Sequence, residues 1–276
     1  MTITGAPVLM YHEVTSPARV DALARKIQRG YICTDVEFEG QMRFLKEHDF
    51  QSISLARLVD SINNGEALPS RSIVITFDDG FEGNFTHALP ILRKYGLAAT
   101  FFVVSNKMGD PSMMTWQQLG ALMESGCEVH SHTANHPLLS TLGSAETRGE
   151  LAESRQAIEQ RLATRCECLS LPNGDSNAYL NEHARACGYK AVCGSRFGFN
   201  DQPDTDVFRL DRIAIKAGIS LGQFRDIVCR KPALVRRMHA RAALQSTVSA
   251  VLGKRRYDRL YNAIHRVDEQ DRRRLP

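Results

Sequence analysis

Short apolar runs alternate with amphipathic stretches from the N-terminus to about residue 230. The segment "PVLMYHEV" (7–14) is a run of β-forming residues and predicts a strand. In "VEFEGQMRFLKEHDF" (36–50), Phe38, Met42 and the Phe44-Leu45 pair recur at helical spacing. A second helix is predicted over 54–65, with Ser54 as its N-cap and Gly65 just past its end. Beyond it, "SIVITF", "ATFFVVS", "CEVHSH", "CLSLP", "YKAVCGS" and "FRLDRIAI" read as strands. The helices predicted among them span 85–96, 115–126, 144–164 and 178–188, and a last one over 220–229 closes the series. Repeated strand-then-helix order gives a parallel sheet with helices outside. About seven such units exceed a small doubly wound sheet and suit a closed or nearly closed barrel. The expected fold is therefore α/β, a distorted (β/α)7-type barrel of parallel strands.

Charge then separates off the C-terminal segment. Residues 231–276 hold twelve Lys/Arg against four Asp/Glu, a surplus of eight. The whole chain carries only +4, so its first 230 residues carry −4. Leu234, Met238, Leu244, Val248, Val251-Leu252, Leu260-Tyr261 and Ile264 suit two amphipathic helices broken near Gly253. The expected organisation is one domain over 1–230 and a basic helical extension over 231–276. That extension reads as a solvated helical cap, with contact to an anionic polymer, a membrane surface or a partner protein as the other readings. Composition fits this plan, since 276 residues at 43% hydrophobic can bury one large α/β core. No apolar run reaches the roughly 18 residues of a membrane span. "MTITGAPVLMYHEV" has neither a basic start nor a long apolar stretch, so no signal peptide is expected. Seven cysteines without a C-x-x-C pair read as reduced thiols. The expected location is cytoplasmic, with the tail able to hold the protein at the inner membrane face.

Candidate chemistry gathers at two predicted strand ends. "IVITFDDG" (73–80) finishes a strand with two adjacent carboxylates. A turn needs only one Asp, and consecutive side chains at a strand end point to opposite sides, so the two can do different work at one site. Ligands in parallel α/β folds collect at these carboxyl ends. "EVHSHTANHP" (128–137) places His130, His132 and His136 at another such end. His132 and His136, at i and i+4, can bring two imidazoles to one divalent ion. His130 either competes as a ligand or lies beneath the site. One of Asp78 and Asp79 would complete a two-His, one-carboxylate set with open positions, and the other would accept a proton from water.

TFDDG joined to H-T-x-x-H resembles the polysaccharide deacetylase family, the NodB-like carbohydrate esterases. "PVLMYHEV", "FEGQMRFLKEHDF", "ITFDDGFEGN", "ALPILRKYGLAATFFV", "EVHSHTANHP" and "LSLPNGD" follow the order of members that begin with a "YH" strand, over roughly residues 6–215. The likeness is greatest to the branch that deacetylates exopolysaccharides such as poly-N-acetylglucosamine. The resemblance implies Asp78 as catalytic base and Asp79, His132 and His136 as ligands of one divalent metal ion. Zn is the first choice for that ion, with Co, Ni or Fe also fitting the set. It implies His12 as the general acid, in place of His239 in the tail, and the Asn173 backbone N–H as an oxyanion donor. Ser170 stands where the family usually has an arginine bonded to the base, Asn173 where it has an aromatic, and His130 where glycine is common. Arg212 is the candidate replacement for that arginine. Phe81, Trp116 and Pro172 are assigned to the substrate, with Phe197 and Phe199 as further stacking candidates. The implied activity is metal-dependent removal of acetyl groups from N-acetylated amino sugars of a polysaccharide or lipid-linked saccharide. The alternatives are an O-acetyl esterase and a non-catalytic saccharide-binding relative. The expected partner is carbohydrate, not nucleic acid.

Overall fold

The computed structural model describes residues 5–200 and 205–233, together with residues 236, 237, 240 and 247. The strands are β1 (Val8–Tyr11), β2 (Glu13–Thr15), β3 (Ile32–Thr34), β4 (Gln51–Ser52), β5 (Ser72–Phe77), β6 (Thr100–Val103), β7 (Glu128–Ser131), β8 (Cys168–Ser170), β9 (Ala191–Cys193) and β10 (Ile213–Ala214). The helices are α1 (Val20–Leu23), α2 (Asp35–Glu47), α3 (Leu55–Asn64), α4 (Leu89–Tyr95), α5 (Trp116–Met123), α6 (Ser144–Leu162), α7 (Leu180–Ala186) and α8 (Leu221–Val228). Capping fixes several starts. Thr34, Thr115 and Ser220 each form a reciprocal capping box, and Ser54 accepts the Arg57 N–H, as expected from the sequence.

The main sheet runs β10-β1-β5-β6-β7-β8-β9, with every pair parallel and β4 added beside β5. It curls into a half-barrel surrounded by helices. One parallel bridge, Cys193 to Leu210, ties β9 to the residues that lead into β10 at the opposite edge. The seven-strand path matches the expected architecture.

Side-chain alternation divides the core between the two faces of the curl. On one face Val8, Val74, Phe102, Cys168, Ala191 and Cys193 pack against Leu55, Leu58 and Val59 of α3. On the other, Tyr11, Phe77 and Phe101 meet Phe38 of α2 in a run of aromatic contacts with ring separations of 4.8–5.7 Å. These strands are buried on both faces, which is why they read as continuous apolar runs rather than alternating ones.

Three elements differ from the sequence reading. The strand predicted over 7–14 divides at His12, where the chain leaves β5 and pairs as β2 with β3 (Glu13 opposite Ile32). The strand predicted over 208–215 becomes a short 3-10 turn, the Leu210 bridge and the two residues of β10. The helix predicted over 85–96 opens with a π-type turn over Asn84–Ala88, just ahead of Pro90. A proline there has no N–H to give a regular ladder. The chain divides into two compact units, residues 1–229 and 230–276. The apolar residues behind the predicted tail helices, and His239, lie outside the described residues.

Candidate active site

The end of β5 carries the first functional cluster. Val74, Thr76 and Asp78 alternate onto the inner face, and Asp78 is 2% exposed. Its carboxylate is gripped by Arg212, with Nη1 to Oδ1 and Nη2 to Oδ2 both at 2.7 Å. Arg212 is itself fully buried, and its Nε donates to the Gly194 carbonyl at 2.8 Å. This paired geometry places a planar fork on a planar carboxylate. Burial alone would raise the pKa of Asp78, but the adjacent guanidinium outweighs it and holds the carboxyl well below its ordinary range.

Ser170, at the end of β8, completes the clamp. Its hydroxyl accepts from Arg212 Nη2 at 2.8 Å and donates to Asp78 Oδ2 at 3.1 Å. The motif position that lacks an arginine thus meets an arginine brought from the other edge of the sheet. Sequence reading treated Ser170 only as a departure. Its signal was parity, because a serine at a strand end on the inner face has a buried hydroxyl that must find partners.

Asp79 and the two histidines form the second cluster. The two aspartates do not diverge by strand alternation as expected. β5 stops at Phe77 and Asp79 takes a left-handed φ of 74°, so the turn, not the pleat, aims its side chain. Gly80 follows at φ 87°, with no room for a side chain against Met108 and Val103. The Asp79 Oδ1 atom lies 3.5 Å from His132 Nε2 and 3.4 Å from His136 Nε2. His132 continues the β7 ladder through its N–H to the Val103 carbonyl at 2.8 Å, whereas Thr133 and His136 both have left-handed φ, and the Thr133 hydroxyl accepts the His136 N–H at 3.0 Å. This small loop, rather than a helical i,i+4 repeat, brings the rings to a centroid separation of 4.8 Å.

One ligand atom from each of Asp79, His132 and His136 lies within 4.8 Å of the others, and among the described residues no other set of His, Cys, Asp and Glu does this. His132 Nδ1 sits 2.9 Å from the Ser170 carbonyl, which requires a proton on Nδ1 and turns Nε2 toward Asp79. Burial lowers the pKa of this ring, but the Asp78 and Asp79 carboxylates outweigh it and raise it, so a bound ion would take the place of a proton on Nε2. Burial, reinforced by neighbouring His132, pulls His136 down to about 4, so His136 offers a neutral nitrogen. Two imidazoles and a carboxylate with this spacing suit a divalent ion of the zinc type.

His12 stands beside Asp78. Tyr11 pairs with Phe77, and the Asp78 N–H bonds the Tyr11 carbonyl at 3.0 Å, so His12 and Asp78 are the next residues on two adjacent strand ends. The His12 carbonyl accepts from Asn84 Nδ2 at 2.6 Å. Burial lowers the pKa of its ring, with Asp78 and Asp79 opposing. Gly83 permits this junction, since a Cβ there would overlap the Val14 carbonyl and the Glu13 carboxyl group.

The remaining candidates divide. Pro172 is buried and Asn173 is exposed in the turn after β8, the latter at φ 54°. Phe81 is half-buried two residues past Asp79, in an isolated bridge with Met113. Phe197 and Phe199 form an edge-to-face pair in the loop after β9. Trp116 is not brought to the cluster. Its ring meets Arg161, 5.2 Å away, in the last turn of α6, the end of that helix farther along the chain from His136. His130 is not a ligand either. Its side chain lies one pleat back along β7, with Nε2 at 3.6 Å from Glu128 and Phe102 beside its ring.

Comparison with known proteins agrees with this architecture. A family model described as polysaccharide deacetylase matches residues 65–192. A putative polysaccharide deacetylase of Bacillus subtilis, YxkH, is 25% identical over 218 residues, covering 79% of this chain and 74% of that protein. The poly-beta-1,6-N-acetyl-D-glucosamine N-deacetylase of Staphylococcus epidermidis is 27% identical over 208 residues, covering 68% and 69%. Among solved structures, the Streptococcus pyogenes deacetylase PplD in complex with acetate superposes with a TM-score of 0.73 at 23% identity, covering 80% of this chain and 97% of that one. IcaB from Ammonifex degensii gives 0.70 at 23% identity, covering 81% and 97%. These two likenesses are of fold.

Proposed function

We propose that this chain, matched over residues 65–192 by the polysaccharide deacetylase model, is a deacetylase that removes acetyl groups from N-acetylated glucosamine polymers with one divalent metal ion. The observation that carries this reading is the convergence of Asp79, His132 and His136 beside a separate, arginine-clamped Asp78. Asp79 Oδ1, His132 Nε2 and His136 Nε2 would hold the ion, with Zn²⁺ the first candidate. Bound there, such an ion supplies Lewis acidity toward the acetyl carbonyl and toward water.

The chain's own groups do the rest. Asp78 accepts the proton of the attacking water, and the Arg212 clamp keeps it ionised and immobile for that purpose. The Asn173 N–H donates to the carbonyl oxygen as negative charge develops on it. His12, next to Asp78, delivers a proton to the amine nitrogen as the C–N bond breaks, so the amine leaves neutral and acetate remains. Phe81 and Pro172 border the sugar. The clamp weighs against a non-catalytic relative, because the arginine absent at Ser170 is replaced by Arg212, which grips Asp78 through both Nη atoms.

The test is acetate release from N-acetylglucosamine oligomers by zinc-loaded protein, run beside Asp78→Asn. Wild type should release acetate, and the variant should fall about 10²–10⁴-fold while still binding one zinc per chain. A wild type that binds zinc yet releases no acetate from these oligomers would overturn the N-deacetylase reading. O-acetylated oligosaccharides would then be the next substrates to assay.

A further inference from the structure

The ring of His12 is placed differently from every other group in the site. Among the described residues neither of its ring nitrogens has a hydrogen-bond partner. What touches the ring is Tyr31, with centroids 4.2 Å apart and planes at 36°. This contact follows from strand register. The β2–β3 ladder begins with Glu13 opposite Ile32, so His12 and Tyr31 are the residues that lead into its first pair, and parallel neighbours at one level lie about 5 Å apart. The two-stranded sheet, absent from the sequence reading, thus has one evident effect at the site: it delivers an aromatic ring to His12.

Tyr31 is in turn fixed from the segment after β10. The Ala217 N–H bonds the Gly30 carbonyl at 3.0 Å, and Lys216 Nζ stands 5.3 Å from the Tyr31 ring centroid. Arg212, which clamps the base, lies four residues before Lys216. One short stretch of chain therefore braces both sides of the proton-handling pair.

We propose that Tyr31 is a positioning residue for His12: its ring, not its hydroxyl, holds the imidazole at the angle from which it protonates the leaving amine. This rests on the reading of His12 as the general acid. The role predicts a dependence on leaving group. An amide needs its nitrogen protonated, whereas 4-nitrophenyl acetate releases a phenolate that needs no proton.

The experiment compares wild type, Tyr31→Ala, Tyr31→Phe and His12→Gln, all zinc-loaded, on N-acetylglucosamine oligomers and on 4-nitrophenyl acetate. Tyr31→Ala should lower kcat on the oligomers about 10- to 100-fold, leave their KM within about twofold, and leave ester turnover within about twofold. Tyr31→Phe should match wild type on both. In proton NMR the His12 ring signals should lose the ring-current shift of Tyr31 in the Ala variant and keep it in the Phe variant. Equal loss on both substrates, a rise in KM alone, failure of Phe to restore, or unmoved His12 signals would each overturn the proposal. Should Tyr31→Ala not fold, Tyr31→Leu is judged by the same amide-to-ester ratio. His12→Gln separates the two claims. If it spares the oligomers, the acid assignment falls and the role of Tyr31 with it. If it alone loses oligomer activity while Tyr31→Ala behaves as wild type, only the positioning claim falls.

Discussion

Asp78 and His12 occupy adjacent parallel strand ends, yet the molecule secures them by opposite means. At the end of β5 everything is polar and saturated: Asp78 is locked by Arg212 and Ser170, and Arg212 is anchored again on Gly194. At the β1–β2 junction the ring of His12 meets the tilted ring of Tyr31, 4.2 Å away between centroids. Its neighbour Glu13 is 4% exposed, and burial pushes its carboxyl up to about 8 against the opposing charge of Arg19. Two buried carboxyl groups on neighbouring strand ends are thus driven in opposite directions. The difference suits the proposed roles, since a base must stay charged and fixed while an acid must keep a ring nitrogen free to give its proton away. A saturated hydrogen-bond network serves the first need and would defeat the second.

The largest effect should come from breaking the clamp. Arg212→Met leaves a buried carboxylate without its counter-charge, and loss of one partner of such a pair costs about 3–5 kcal/mol. Urea unfolding should show this as a lower midpoint with an unchanged slope. Arg212→Lys should recover only part of it, because an ammonium cannot fork onto both oxygens. A Met variant as stable as wild type would mean that the pair contributes nothing net to the fold.

The fold itself was largely legible in the sequence, and so was the gathering of Asp79, His132 and His136. Alternating apolar runs and amphipathic stretches gave the main parallel sheet, because strands buried on both faces announce themselves by composition. What could not be read was short and governed by tertiary contacts. β3 is three residues, "ICT", and exists only because β2 lies beside it. The break at His12 leaves no mark in "PVLMYHEV", since it is made by Asn84 and Gly83 more than seventy residues on. Arg212, inside the strand predicted over 208–215, could be suspected from the family resemblance, but its grip on Asp78 depends on the sheet curling until β9 and the approach to β10 are bridged. Trp116 failed for the complementary reason: an aromatic at a helix start has no sequence mark of which neighbour it will meet.

The other side of the comparison is sharpened through pH. The folded-state pKa of Glu13, about 8, lies above its unfolded value, so over that interval the folded protein binds more protons than the unfolded one. Stability from this group is therefore greatest below its unfolded pKa and declines as pH rises toward 8. The slope is at most one proton, about 1.4 kcal/mol per pH unit. Glu13→Gln should flatten this slope in unfolding curves taken between pH 5 and 8, and should be the more stable protein at pH 8. A slope equal to that of wild type would show Glu13 to be ionised and solvated in the native state.

Ser170→Ala should have the smallest effect and resolves most finely how the two clusters are joined. Removing the hydroxyl deletes one bond to Asp78 and one from Arg212, yet Arg212 Nη2 still donates to Asp78 Oδ2 at 2.7 Å. No buried charge is orphaned, so the cost should be about 1 kcal/mol rather than the several expected for Arg212→Met. The Ser170 carbonyl survives the substitution, so His132 keeps its Nδ1 bond and the direction in which Nε2 faces Asp79. Zinc affinity, measured by competition with a chelator, should then be unchanged, while kcat falls by less than about tenfold as Asp78 gains a little freedom. If zinc affinity drops instead, the serine acts on the metal side of the site through His132, and the base and the ligand cluster are one mechanical unit rather than two neighbours.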